Sequence, residues 1–174
     1  MRLLKNAGIG LVAGVIATAV MDMSQSTLMP VISSWVKSAR GPTAVAESSA
    51  DRDDRQPESS PEKVARRVAD LLGVSLSREG IAEWGNRVHW LYGTQWGLTF
   101  AILRLRRTPL AGATFGAVLW LGSDELLLWA LGIAEKPTHY PFESHASALA
   151  AHVVYGAVLG ITLAGLESSN SYRR

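Results

Sequence analysis

The chain has no cysteine. Disulfides, thiolate metal sites and cysteine nucleophiles are therefore excluded. Charge is scarce too: Asp, Glu, Lys and Arg make up 18% of the 174 residues, against about a quarter in an ordinary soluble domain. The net charge is only +2, and no basic patch is interleaved with aromatics, which argues against a nucleic-acid footprint. Phosphate loops and catalytic triads are also missing. A lone G-x-x-x-G is not a phosphate loop, and Ser123-Asp124-Glu125 has no base near it in sequence to make a nucleophile. These absences predict a protein without enzymatic activity.

Apolar residues are abundant, at 48% of the chain. The mean hydropathy of +0.13 understates this, because the polar residues are concentrated in one block. Four segments approach the ~20 apolar residues that cross a bilayer. They cover residues 7–29, 86–103, 109–134 and 146–166. A cleaved signal peptide is the rival reading of the first, with Ala17-Thr18-Ala19 resembling a cleavage site. Its apolar run continues to Met29, so the expectation is retention. Residues 33–85 form a polar linker, SARGPTAVAESSADRDDRQPESS reading as flexible. A short amphipathic helix near 61–72 follows, with Ser60 as N-cap, Pro61 at its start, Gly73 at its end and an apolar stripe of Val64, Val68, Leu71 and Leu72. It is expected on the bilayer surface or against the loop side of the bundle. Arg2, Lys5, Arg104, Arg106, Arg107, Arg173 and Arg174 flank the spans on one side, which is thereby expected to be cytoplasmic. The expected address is a bacterial inner membrane, multi-pass, with both termini cytoplasmic and lipid as the surrounding partner. Trp35, Trp84, Trp90 and Trp129 suit an outer aromatic belt, and Trp96 and Trp120 suit packing.

The second and fourth spans carry the same frame. HWLYGTQWG begins at His89 and HVVYGAVLG at His152, and both read H-x-x-Y-G-x-x-x-G. The first and third share another: Gly10, Gly14, Asp22 and Gly112, Gly116, Asp124 both read G-x-x-x-G-x(7)-D. Two copies of a helical hairpin predict an all-α, four-helix bundle with an approximate twofold axis along the membrane normal. Gly10, Gly14, Gly93, Gly97, Gly112, Gly116, Gly156 and Gly160 fall at four-residue spacing, where small side chains let membrane helices approach closely. Each of Asp22, His89, Asp124 and His152 lies fifteen residues from the cytoplasmic end of its span. That is roughly 22 Å along a helix, so the four share one level near the outer side.

Ionisable groups at that depth are costly and face the bundle interior or a water-filled cavity. Three chemistries suit them. Each Asp–His pair can lock two helices together by hydrogen bonding. Two carboxylates and two imidazoles can hold a divalent metal. The pairs can also relay protons, with Glu125 and His145 at the outer mouth and Tyr92 and Tyr155 as phenolic donors or interface aromatics. The alternatives to a free-standing, non-catalytic protein are a metal-dependent membrane enzyme, a homo-oligomer and a subunit of a larger membrane complex. In the second half, GATFGAVLW, the polar position at Asp124, LGIAEKP and SHASALAAHVVYG resemble the YagU-like family of small bacterial inner-membrane proteins. The resemblance implies four spans, a link to acid tolerance and no catalytic residues.

Overall fold

The computed structural model describes residues 2–27, 29–40 and 58–171, and these are helical with no strand among them. Helix α1 spans Arg2–Thr27 and α2 Met29–Arg40. Helix α3 spans Ser60–Leu71 and α4 Arg78–Ile102. Helix α5, Pro109–Leu119, runs on into a π-helical stretch, Trp120–Leu127, and a last turn, Leu128–Ala130. Helix α6 spans Phe142–Ser171. Most of the expected flexible linker falls on residues 41–57, outside the described residues.

Local chemistry sets the boundaries. At α3, Ser59 rather than Ser60 is the N-cap, because Glu62 reaches back to the Ser59 amide and closes a capping box. Gly73 sits at φ +68° beyond the last turn. There it donates to Asp70 while Val74 donates to Ala69, the paired bonds of a Schellman end. Helix α4 begins eight residues before the expected span because the Ser77 hydroxyl accepts from the Gly80 amide. Thr108 caps α5 in the same way, with Pro109 in its first turn.

Helices α1 and α6 are long and apolar enough to cross a membrane, with mean hydropathy 1.7 over Leu4–Thr27 and 1.8 over Phe142–Ser168. Their packing is distinctive. Helix α1 buries Gly10, Ala13, Gly14 and Ala17 and exposes Leu11, Val12, Val15 and Ile16. A soluble helix does the reverse, since water rewards burial of the large side chains. Small residues inward and large ones outward is the pattern of helices packed within lipid.

Helix α1 packs on α4 and α6, α5 on α6, α3 on α4, and α2 on α6. The central core joins Ala13, Ala17 and Met21 of α1 to Phe100 and Ala101 of α4, Leu119 of α5, and Tyr155, Leu159 and Leu163 of α6. Tyr92, Trp96, Phe115 and Phe100 form a run of edge-to-face rings bridging α4 and α5. The Arg107 guanidinium, between α4 and α5, pairs with Glu167 near the end of α6.

Candidate functional site

The glycines bring the helices together at backbone distance. A Cβ on Gly10 would lie 2.7 Å from Ala101 Cβ and 2.9 Å from Gly97 O, and one on Gly14 would lie 2.8 Å from Thr94 O. On the other pair, a Cβ on Gly112 would overlap the Gly156 carbonyl, and one on Gly116 the His152 carbonyl. Gly93, Gly97, Gly156 and Gly160 meet the facing helices just as closely. Both contacts are glycine-lined but their registers differ: Gly10 meets Gly97 and Ala101 and Gly14 meets Gly93 and Thr94, whereas Gly112 meets Gly156 and Gly160 and Gly116 meets His152 and Gly156, closer to the histidine of the shared frame.

One register above the glycines stand the acids and histidines. His89 Nε2 lies 2.7 Å from Asp22 Oδ1, joining α4 to α1. His152 Nε2 lies 3.7 Å from Asp124 Oδ2, joining α6 to the π-helical stretch. Asp124 is within electrostatic reach of His89 as well. The His152 ring is fixed from behind, where Nδ1 donates to the Ala148 carbonyl at 2.9 Å. A third pair lies outside these two. His145 Nδ1 is 2.6 Å from Glu125 Oε1, and Nε2 is 2.9 Å from the Pro137 carbonyl oxygen.

The π-helical stretch explains why the two aspartates are held differently. Asp22 sits in a regular helix and makes a full hydrogen bond. Asp124 follows Gly116 by the same eight residues as Asp22 follows Gly14, but part of that interval lies in Trp120–Leu127. An i→i+5 turn holds one more residue than an α-turn, so side chains beyond it are rotated about the axis. Asp124 stops short of hydrogen-bond distance from His152, and Glu125 is turned onto His145. The Ser123 hydroxyl bonds back to the Leu119 carbonyl within the same stretch.

The four candidate metal ligands are thus arranged as pairs, and among the described residues no group of three or more His, Asp or Glu side chains could hold a metal ion. A chelate needs three or four donors on one centre, and the described side chains form no such group. Neither tyrosine hydroxyl hydrogen-bonds a carboxylate, although Tyr92 lies within electrostatic reach of Asp124. Buried Tyr155 donates to the Gly93 carbonyl at 2.6 Å, tying α6 to α4. Tyr92 stands edge-on to Trp96 and interacts with Ser123. Trp35, Trp84 and Trp129 are exposed, whereas Trp96 packs on Phe115.

The KPTHYP segment is the turn expected from its sequence, but the contacts by which it closes this end were not readable there. Tyr140 packs edge-on to His145, and its hydroxyl receives Lys63 Nζ at 2.9 Å and the Glu135 amide at 3.1 Å. The two prolines of KPTHYP fix the turn, but nothing in the spacing pairs Tyr140 with Lys63. His139 in that turn is exposed and lies 3.5 Å from Glu135. No family model, curated protein or solved structure matches the chain. Nothing in those comparisons bears on the resemblance of the second half to YagU-like proteins.

Proposed function

We propose that the chain is a non-catalytic, multi-pass inner-membrane protein of two duplicated hairpins, with both termini cytoplasmic, whose outer-side Asp/Glu–His pairs bind protons and couple them to helix packing. One observation carries the proton reading. Both ring nitrogens of His145 face oxygen. A carbonyl only accepts, so Nε2 carries hydrogen. A carboxylate also only accepts, so either Nδ1 carries a second hydrogen or Glu125 is itself protonated. Either way the pair holds one proton more than a neutral imidazole beside a carboxylate. His152 repeats the logic more loosely. Its Nδ1 donates to Ala148, so a neutral ring would turn a bare Nε2 lone pair toward Asp124.

Binding suits the geometry better than conduction. Below the pairs the helices meet through Gly10, Gly14, Gly93, Gly97, Gly112, Gly116, Gly156 and Gly160, which offer no titratable side chain to continue a relay. The inward small residues of α1 and the close glycine contacts in both helix pairs support the duplicated, membrane-spanning arrangement.

Nitrogen-15 NMR of histidine-labelled protein at neutral pH tests the proton inventory, together with the infrared stretch of protonated carboxyls. We expect either a ring with both nitrogens protonated that is lost in His145→Gln, or a protonated-carboxyl band that is lost in Glu125→Gln. Only singly protonated rings and no such band would overturn the proposal.

A further inference from the structure

Helix α3 is built inside out relative to a soluble surface helix. It docks on α4 through Ala65 and Ala69, both buried. Contact is close at Gly85, where a Cβ would lie 2.7 Å from Glu62 Cγ. Its charged side turns partly back to the protein: Lys63 reaches Tyr140, and Arg66 pairs with Glu58. Its large apolar side chains point away. Val68 is 48% exposed, Leu71 74% and Leu72 72%, and Val74 just beyond is 49% exposed. At about 100° per residue, Val68, Leu71 and Leu72 share one side with half-buried Val64. Exposed Arg67 borders that side.

The level of α3 says what covers this face. Gly85 lies 17 residues from Ile102, the end of α4, or about 26 Å up the helix. That is near the upper edge of a hydrocarbon core about 30 Å thick. Exposed Trp84 is beside Gly85, and the Arg87 guanidinium lies 4.5 Å from its ring centroid. Tryptophan rings and long basic side chains concentrate at that depth, where stems stay apolar and heads reach phosphate.

We infer that the stripe of Val68, Leu71 and Leu72 lies in the outer lipid–water interface, with Arg67 directed at lipid phosphate. This rests on the membrane-spanning reading above. Helix α3 is then an interfacial anchor, and the loop it holds through Lys63 and Tyr140 is the one that positions His145.

The lack of cysteine makes the test direct. Leu71→Cys, Asp70→Cys and Ile161→Cys each carry a single environment-sensitive fluorophore in phosphatidylcholine–phosphatidylglycerol vesicles. Ile161 is exposed on α6 and reports on spanning. We expect nitroxide lipids labelled near the headgroup to reduce Leu71→Cys emission about twofold, as for a shallowly buried apolar face, and to leave Asp70→Cys little changed. Nitroxide near the acyl end should quench Ile161→Cys. If Ile161→Cys is quenched but Leu71→Cys behaves as Asp70→Cys, the anchor is overturned and the spanning reading stands. If Ile161→Cys is also unquenched, the spanning reading falls, and the anchor with it. A Leu71→Cys probe shielded from lipid and water, with thiol cross-linking between chains, would assign the face to a second copy and overturn the inference.

Discussion

Replacing Gly112 with alanine puts one methyl group where the structure has the Gly156 carbonyl. The obstacle is backbone on the facing helix, so no rotamer change can relieve it. Helices α5 and α6 must separate by about the excess of a carbon–oxygen contact. Overpacking of this kind costs typically ~1–3 kcal/mol. Alanine also favours the helix over glycine by ~1 kcal/mol, which partly offsets the clash. The net expectation is a loss of ~0–2 kcal/mol. Gly165 is the control: it is helical, and an added Cβ meets nothing within 4 Å. Gly165→Ala should keep the propensity gain and stabilise by roughly 0.5–1 kcal/mol. Thermal unfolding in detergent, followed by circular dichroism, compares the two. Gly112→Ala as stable as Gly165→Ala would refute the close approach of α5 and α6.

Arg104 lies just past the end of α4 at φ +52°, a conformation that costs a side-chain-bearing residue ~1 kcal/mol. Arg104→Gly should raise the unfolding midpoint, and a lowered midpoint would show that the arginine side chain contributes more than its backbone strain removes. Tyr155→Phe removes a buried hydrogen bond to Gly93 and should cost ~1 kcal/mol in the same unfolding assay; an unchanged midpoint would deny the bond any net role. Glu58 is held below the usual carboxylate range, chiefly by its hydrogen bond from Arg66. A depressed carboxyl stabilises above its unfolded pKa, and this is lost as pH falls through the folded value. Amide exchange in α3 should therefore accelerate once acid protonates Glu58, modestly because the pair is exposed. In Glu58→Gln the fast exchange should already be present at neutral pH, and identical exchange in the two proteins would exclude the pair as an α3 clamp.

The helices were legible because their signals are local: apolar runs, Pro61 at one start and Gly73 at one end. The pairing of glycines was legible from spacing, since residues four apart share a helix face. The face of α3 was readable only in part. The apolar stripe is real, but Ala65 and Ala69 make the helix contact, and the stripe itself is left exposed. The expectation left the helix either on the bilayer surface or against the loop side of the bundle, without saying that the alanines would make the contact. Along α1 too, alanine and glycine face in while leucine and valine face out. The π-helical stretch was not legible. WLGSDELL contains no proline, and its single glycine, Gly122, has open space around it, so no residue announces the wider turn. Only the geometry of the acids reveals its consequence. A regular helix would present Asp124 to His152 much as Asp22 meets His89. The wider turn holds Asp124 at 3.7 Å and gives Glu125 a histidine of its own. Two matching sequence frames thus produce two pairs that differ in geometry, one a 2.7 Å hydrogen bond and the other a 3.7 Å separation. The difference resides in the hydrogen-bonding turn of the backbone, which side-chain spacing does not encode.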